Sequence, residues 1–263
     1  MIPTLDLRRE ATRSTPALDL AGVTLGDLEA ARTNWRERMV SEHASARVFG
    51  ALVGQMMRAG LPASETRRVA AMAQQELDHG VLCARVLAAL GGDAIAPLPR
   101  LDEIPTHEDA SPIEAVLRNV ISIGCCSETV AVALVGTERE LAGPPAVRDV
   151  LDRILADEVK HARFGWRIVA KVAPALTPEE RESLNAYLAD VFAHQVAFHA
   201  PFLRMPEAEA NGLAIGAPHG RSSWTVFVRT MEEIVVPGLA HHGFDSVRAW
   251  RRVLRRSAQG EEP

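Results

Sequence analysis

The segment Asp157-Glu158-Val159-Lys160-His161 places a carboxylate and an imidazole three residues apart, in the middle of a stripe of apolar residues. The segment Glu76-Leu77-Asp78-His79 has the same spacing in the first half of the chain. Side chains at positions i and i+3 of a helix lie about 5–6 Å apart on one face. Each motif can therefore point one oxygen ligand and one nitrogen ligand at a common centre.

Apolar residues recur at steps of three and four around both motifs, which predicts that each motif lies on an amphipathic helix. Two more helices with this periodicity carry a carboxylate within their apolar stripes, at Glu42 and Glu128. The four helices form two pairs, within residues 35–90 and 113–172. Ala and Leu are abundant while aromatic residues make up only 5% of the chain, which favours helices over strands. We therefore predict an all-α protein built around a four-helix bundle.

Glycines, prolines and capping signals divide the chain into segments. Residues 91–110 lack helical periodicity and are too long for a tight helical hairpin, so we expect a long crossover between the second and third helices. Ser111-Pro112-Ile113-Glu114 and Thr177-Pro178-Glu179-Glu180 have the pattern of capping boxes and predict helix starts. The predicted segments are an irregular N-terminal stretch (1–24), the bundle with a dimetal site (25–175), additional C-terminal helices that pack on the bundle (176–256, with an irregular loop at 204–222) and a disordered tail (257–263).

The inward carboxylates indicate a metal site. Ionised Glu side chains in one dry core would each lose much of their hydration energy and would repel one another. We expect no Lys or Arg on the apolar stripes near them. Two divalent cations would balance four carboxylates, and neutral imidazoles would complete the coordination. We therefore predict a pair of metal ions bound by Glu42, Glu76, His79, Glu128, Glu158 and His161.

One Glu from each of two helices, together with a Glu-x-x-His motif from each of the other two, is the ligand set of the ferritin-like carboxylate proteins. The sequence resembles this superfamily from about Trp35 to Val172, in the order of the ligands and in the long crossover. The Asp-Glu-x-x-His sequence that begins at Asp157 is similar to the signature of the oxygen-activating members. That resemblance implies that Asp157 hydrogen-bonds the metal-bound His79 and fixes its tautomer.

The resemblance also implies a non-haem di-iron centre (Fe2+/Fe3+) with O2 as a co-substrate. Carboxylates and imidazoles suit iron or manganese, so manganese or a mixed Mn/Fe pair is an alternative. The expected function is an O2-activating oxidase or oxygenase that acts on a small organic substrate by hydroxylation, desaturation, N-oxygenation or C–C cleavage. The alternatives are a ferroxidase, a peroxide-scavenging or iron-handling ferritin-like protein, or a bundle in which metal only stabilises the fold.

Three positions distinguish this chain from particular ferritin-like proteins. Ala131 stands where rubrerythrin-like peroxidases have a further Glu, and Cys83 where ribonucleotide reductase small subunits have a radical-storing Tyr. Ile154 stands where arylamine N-oxygenases have a third His, although His194 or His199 on the fifth helix is an alternative source of an imidazole. We predict no catalytic residue beyond the metal ligands, and a pocket walled in part by the C-terminal helices. The side chains expected at this pocket are Phe49, Cys83, Cys125, Val132, Phe164, His194 and Phe198.

Composition and charge narrow the compartment and the partners. The net charge of −5 gives no general attraction to nucleic acids or acidic membranes, and the arginines between 248 and 256 are interpreted as a solvated helix end. Three cysteines without secreted-scaffold spacing favour a reducing compartment. The first residues have no signal-peptide pattern, and no run of about 18 uncharged apolar residues occurs. We expect a cytoplasmic protein that binds neither nucleic acid nor membrane and uses a small organic substrate and an external electron donor. The sequence leaves the oligomeric state open, with a homodimer as one option.

Overall fold

Long helices make up most of the protein. The structure is a computed structural model that describes residues 3–13, 15–98 and 104–258. Up to the end of the bundle, the elements are β1 (Thr4–Asp6), α1 (Arg8–Thr12), α2 (Leu25–Arg58), α3 (Ala63–Ala89), β2 (Ile95–Pro97), α4 (Pro112–Val120), α5 (Glu128–Leu141) and α6 (Pro145–Val172). After the bundle follow α7 (Pro178–His199), α8 (Ala210–Ala214), α9 (Gly220–Thr230), α10 (Val236–His241) and α11 (Ser246–Ala258). The predicted all-α class is confirmed.

The four-helix bundle consists of two helix pairs. In the first pair α2 packs along α3, and in the second α5 packs along α6. Contacts of α3 with α6 and of α2 with α4 join the pairs. A π-helical segment, Ile121–Ser127, connects α4 directly to α5, so these two helices act as one long rod. Each of the four rods therefore presents one apolar face to the other three, as the periodicity predicts.

Both predicted helix starts with capping signals are confirmed. The Ser111 hydroxyl accepts a hydrogen bond from the backbone N–H of Glu114, at 3.3 Å, where α4 begins. At the start of α7, Thr177 and Glu180 form the complete reciprocal capping box. Ser111 also donates to the Glu180 carboxylate, at 2.6 Å, so the two helix starts are tied together.

The N-terminal segment 1–24 is less irregular than predicted. Strand β1 pairs antiparallel with β2, with Leu5 opposite Ala96, and α1 packs on α3. The partner strand β2 lies far along the chain, in the connection 91–110. Strands of three residues are too short for alternation of apolar and polar residues to reveal them in the sequence. The expected loop at 204–222 is likewise interrupted, by α8 and by the start of α9. Of the predicted tail, residues 257–258 belong to α11 and residues 259–263 lie outside the described part of the chain.

The C-terminal helices cover the α4–α5 side of the bundle. Helix α7 contacts α4 and the π-helical segment, α11 packs on α7, and α9 packs on α5. One hydrophobic cluster accordingly contains Phe49 and Phe164 from the bundle together with Phe192, Phe227 and Trp250 from the C-terminal helices. This continuous core shields one side of the bundle interior from water.

Two glycines bring the π-helical segment very close to α6. A Cβ atom built on Gly165 would lie 2.5 Å from the carbonyl carbon of Gly124. The backbones therefore touch one helical turn before Glu128 on one rod and one turn after His161 on the other. The side chain of Gln195, on α7, supports the same segment by donating to the Ser127 hydroxyl, at 2.9 Å.

Within the described ranges, one helical stretch is long and apolar enough to cross a membrane, from Pro112 to Leu141. The search of the sequence for a run of about 18 uncharged apolar residues did not identify this stretch. The rest of the protein buries half of its most apolar window, and the core helix of a soluble protein has the same length and composition. The stretch also carries Glu128, whose side chain is buried toward the other helices.

Replacement of Gly165 by Ala tests the close backbone contact. The added methyl group overlaps the Gly124 backbone, so Gly165→Ala is expected to lower the free energy of unfolding by about 1–3 kcal/mol and the melting temperature by several degrees. Gly50→Ala is the control, since Gly50 is exposed on α2 with no atom within 4 Å of the added Cβ. This control should melt at or slightly above the wild-type temperature, because Ala is the better helix former. Equal melting of both variants would contradict the contact.

Candidate metal centre

The structure brings all six predicted ligands to one place in the middle of the bundle. Their ligand atoms form two groups, in each of which the atoms lie within 4.8 Å of one another. The first group contains Glu42 and His79, and the second contains Glu128 and His161. Glu76 and Glu158 belong to both groups. Two shared carboxylates between two neighbouring ligand sets are the arrangement expected for a bridged pair of metal ions.

The ligand side chains are almost completely removed from water. The exposed fraction is 12% for Glu42, 5% for Glu128 and 2% for Glu76, and the two imidazoles are at most 1% exposed. Each carboxylate comes from a different helix, at the point where the four rods face one another. Water therefore does not solvate these charges, and they need compensation from within the protein.

The donor atoms fit a metal pair because several of them have no other partner. Among the described residues, Glu76 Oε1, Glu128 Oε2 and Nδ1 of both His79 and His161 are buried without a hydrogen bond. His161 Nδ1 and Glu76 Oε1 are only 2.9 Å apart, but their geometry does not make a hydrogen bond. Orphaned polar atoms are rare in protein interiors, and here they converge. Cations at the two positions would satisfy all of them.

Both imidazoles present Nδ1 to the carboxylates. His79 Nδ1 lies 3.3 Å from Glu158 and 3.6 Å from Glu42, and His161 Nδ1 lies 3.4 Å from Glu158. The Nε2 atoms point away from the centre. Nδ1 is therefore the nitrogen that would bind metal in each motif.

The Nε2 atoms contact two residues that directly precede the motifs. Asp157 Oδ2 lies 3.5 Å from His79 Nε2, beside the histidine that the resemblance names, but Nε2 makes no hydrogen bond with any described residue. Gln75 Oε1 lies 3.0 Å from His161 Nε2, a contact that the sequence reasoning missed. The signal was present, because Gln75 occupies in the first motif the position that Asp157 occupies in the second.

Arg38 corrects the expectation that no cation lies near the inward carboxylates. It precedes Glu42 by one helical turn and forms an ion pair with Glu138 of α5. Its Nη1 atom is buried and has no hydrogen-bond partner among the described residues. Its ion-pair partner Glu138 is not one of the six candidate ligands.

Most of the aromatic and cysteine side chains expected at the pocket are buried. Phe49 packs edge-to-face against His161, with ring centroids 5.6 Å apart. Cys83, Cys125 and Phe164 are also buried, and Val132 is partly buried. Burial raises the pKa of the Cys83 thiol well above its usual value, and Cys83 belongs to neither of the two ligand groups.

Helix α7 turns two of the expected pocket residues outward. His194 is exposed and Phe198 is 62% exposed, so the expectation that they line a cavity beside the metals is wrong. His199 faces inward but stacks on Phe227, with ring centroids 4.3 Å apart, and burial lowers its pKa to about 4. In the described part of the chain, neither histidine belongs to the two ligand groups.

Comparisons with known proteins support the fold. No family model matches the chain, and no curated protein matches it. A solved structure described as protein 19 with aldehyde deformylating oxidase activity, from Synechococcus, superposes with a TM-score of 0.61 at 19% sequence identity, over 91% of this chain and 100% of that chain. The chain has the ferritin-like fold. An identity this low shows the fold alone, and the chemistry must be argued from the residues of this chain.

The ferritin-like centre holds protons when it holds no metal. Burial raises the pKa of Glu76 to about 8 and that of Glu128 well above its usual value. Burial opposes ionisation of the imidazoles, but the surrounding carboxylates outweigh it and raise the pKa of His79 to about 10 and that of His161 to about 12. Near neutral pH Glu76, His79 and His161 are therefore protonated, and cations that bind to them must displace protons.

Proton release provides a test of this centre. Titration of the metal-free protein with Mn2+ in buffers of different ionisation enthalpy should show more than one proton released as the sites fill. The affinity should fall as the pH falls, because protons then compete better for the same atoms. Metal binding without proton release would contradict the assignment.

Replacement of a carboxylate that belongs to both groups tests whether it is a shared metal ligand. Glu158→Ala removes a ligand from both groups and should abolish binding of both ions, measured as metal per chain after desalting. The matched control is Glu37→Ala, since Glu37 is exposed on α2 and belongs to neither group. Retention of two ions by Glu158→Ala would be inconsistent with a shared ligand.

Proposed function

We propose that this protein is an O2-activating, non-haem di-iron oxidoreductase that oxidises a small organic substrate. The observation that carries the proposal is the convergence of four carboxylates and two imidazoles, with orphaned donor atoms, inside one dry bundle. Two carboxylates shared between two ligand groups would hold two ions close together. Such a pair provides electrons and open coordination positions for O2.

Iron is the metal that we propose for both positions. Oxygen-rich sites with one imidazole per ion suit iron or manganese, and buried carboxylates stabilise the more highly charged states that iron reaches during oxidation. Manganese or a mixed Mn/Fe pair is the alternative, and metal analysis distinguishes them. Glu42, the most exposed of the carboxylate ligands, would lie on the side from which small molecules reach the centre.

The protein side chains around the centre would exclude water and orient the reactants. Phe49 and Phe164 provide apolar surface at the bundle interior, in the core cluster that the C-terminal helices complete. Storage of iron does not require this cover, whereas oxidation of an organic molecule benefits from a site that water does not enter. This contrast supports an oxidase or oxygenase over a ferroxidase.

We propose an aliphatic aldehyde as the first substrate class to test. The support is the fold shared with a protein that has aldehyde deformylating oxidase activity. Deformylation of an aldehyde is a C–C cleavage, one of four reaction types expected for this ligand set. Products would distinguish it from hydroxylation, desaturation and N-oxygenation.

The proposed cellular setting follows from the same chemistry. An external electron donor would return the iron ions to the ferrous state after each turnover. Buried, unpaired thiols at Cys83, Cys125 and Cys126 support a reducing compartment such as the cytoplasm. We propose neither a nucleic-acid partner nor a membrane partner, and we propose a homodimer as the assembly to be tested.

Reconstitution with Fe(II) tests the function. Anaerobic loading should give close to two irons per chain by metal analysis. With a chemical reductant and O2, an aliphatic aldehyde should increase O2 consumption and yield formate. Glu158→Ala should lose both signals, and Glu37→Ala should keep them.

The other outcomes identify the alternatives. Continued oxidation of excess Fe(II) with growth of a mineral, unaffected by aldehyde, would identify a ferroxidase. Fewer than about one iron per chain would overturn the di-iron proposal. Stimulation of O2 consumption by an amine or another organic compound, without formate from aldehyde, would retain the oxygenase and replace the substrate class.

A further inference from the structure

Gln75 connects the two Glu-x-x-His motifs. It lies on α3 directly before Glu76, and its side chain makes two hydrogen bonds across the bundle. Its Oε1 accepts from His161 Nε2, at 3.0 Å, and its Nε2 donates to Asp157 Oδ1, also at 3.0 Å. Asp157 in turn contacts His79. The residue before each motif therefore lies against the histidine of the other motif.

The direction of these bonds is fixed by Asp157. An ionised carboxylate only accepts hydrogen bonds, so the amide nitrogen of Gln75 must face it and the amide oxygen must face His161. His161 then has to carry its proton on Nε2 in order to donate. Once a metal ion displaces the proton from Nδ1, the Nδ1 lone pair faces the carboxylates of the centre, as a metal ligand requires.

Asp157 stays ionised because two cations hold it. Lys160 donates to Oδ1 at 2.8 Å, and Arg153 lies 3.4 Å from Oδ2. With the hydrogen bond from Gln75, these contacts surround the Asp157 carboxylate with hydrogen-bond donors and positive charge. His79 therefore faces a carboxylate, whereas His161 faces a neutral amide.

This contrast makes the two metal positions unequal. A carboxylate partner increases the basicity of a metal-bound imidazole more than a neutral partner does, and loss of such a partner typically lowers metal affinity about 10–100-fold. Glu76 and Glu158 belong to both ligand groups, so they do not by themselves distinguish the two positions.

We propose that Gln75 is a positioning residue that holds His161 in its metal-binding tautomer, and that its neutral amide makes the His161 position the weaker of the two. The ions then bind in sequence, first beside His79 and second beside His161. This inference rests on the metal centre of the proposed function, but not on iron, O2 or the organic substrate.

Titration of the metal-free, full-length protein with Mn2+ tests the order of binding. Calorimetry should resolve two steps that differ by about tenfold or more in affinity. Electron paramagnetic resonance after about one equivalent should show an isolated Mn2+ ion, and after about two equivalents a coupled pair. A coupled pair already formed at one equivalent, or two equal steps, would overturn the proposed inequality.

Variants assign each step to its position. Gln75→Met keeps the side-chain length without the amide, and should weaken the second step about 10–100-fold. Asp157→Asn should weaken the first step and bring the two affinities together. The matched control is Gln74→Met, since Gln74 is the neighbouring glutamine and is exposed. It should change neither step by more than about twofold.

Stability measurements separate positioning from folding. If Gln75 acts only by positioning His161, the metal-free Gln75→Met and Gln74→Met proteins should have similar melting temperatures. A merely structural role would instead lower the melting temperature of Gln75→Met without a selective loss of the second binding step. Should Gln75→Met not fold, Gln75→Ser is the second variant, since its side chain is too short to reach His161 and it should lose the same step.

Two results would overturn the inference. One is an unchanged second step in a folded Gln75 variant, and the other is an equal loss in the Gln74 control. If wild type binds two ions in these tests yet no O2 chemistry follows, the proposed function fails and the inference stands. If wild type binds no Mn2+ and no Fe(II), both fail.

Discussion

Buried negative charge is the constraint on which the rest of this structure depends. Glu76, Glu128 and Glu158 lie in a region where ionised side chains are stable only with compensating charge. Without metal, the protein compensates with protons, which explains the raised pKa values of Glu76 and of both imidazoles. With metal, cations replace those protons. The bundle is therefore a scaffold whose electrostatic balance is completed by what binds in it.

The backbone is adapted to this centre at one place in particular. The π-helical segment Ile121–Ser127 directly precedes the candidate ligand Glu128, and Gly124 within it touches Gly165 of α6. A π-helical turn inserts an extra residue and rotates the following helix, so it changes the direction in which Glu128 points. Such segments are less stable than α-helix and are often found at functional sites. Here the support comes from the glycine contact and from Gln195 of α7. The C-terminal helices thus contribute to the geometry of the centre as well as to its cover.

A network of hydrogen bonds around the ligands makes the site asymmetric. The two halves of the bundle carry equivalent Glu-x-x-His motifs, but the residues that precede the motifs differ, with an amide at Gln75 and a carboxylate at Asp157. Arg153 and Lys160 compensate the charge of Asp157 from the surface of α6. A nearly symmetric fold therefore holds two chemically different positions, and a difference of this kind allows two ions to play different parts in one reaction.

The sequence alone determined the fold class, the helix pairs and the six candidate ligands. Their signals are local, because helical periodicity, capping residues and i, i+3 spacing are all read within a few turns of one helix. A Glu in an apolar stripe also needs compensating charge once it is buried, and this requirement can be inferred without coordinates. For this reason even Glu42 and Glu128, which lack a neighbouring His, could be predicted.

Only the tertiary structure decided which side chains meet across helices. The pairing of β1 with β2, the contact of Gln75 with His161 and the buried position of Arg38 all join residues from different elements. The outward direction of Phe198 likewise depends on how α7 rotates against the bundle. Hydrophobic periodicity predicts which broad face of a helix is buried. These contacts depend on the exact rotation and spacing of neighbouring helices, because a hydrogen bond forms only within a narrow range of distance. That information arises from packing of the whole chain, and no single segment of the sequence contains it.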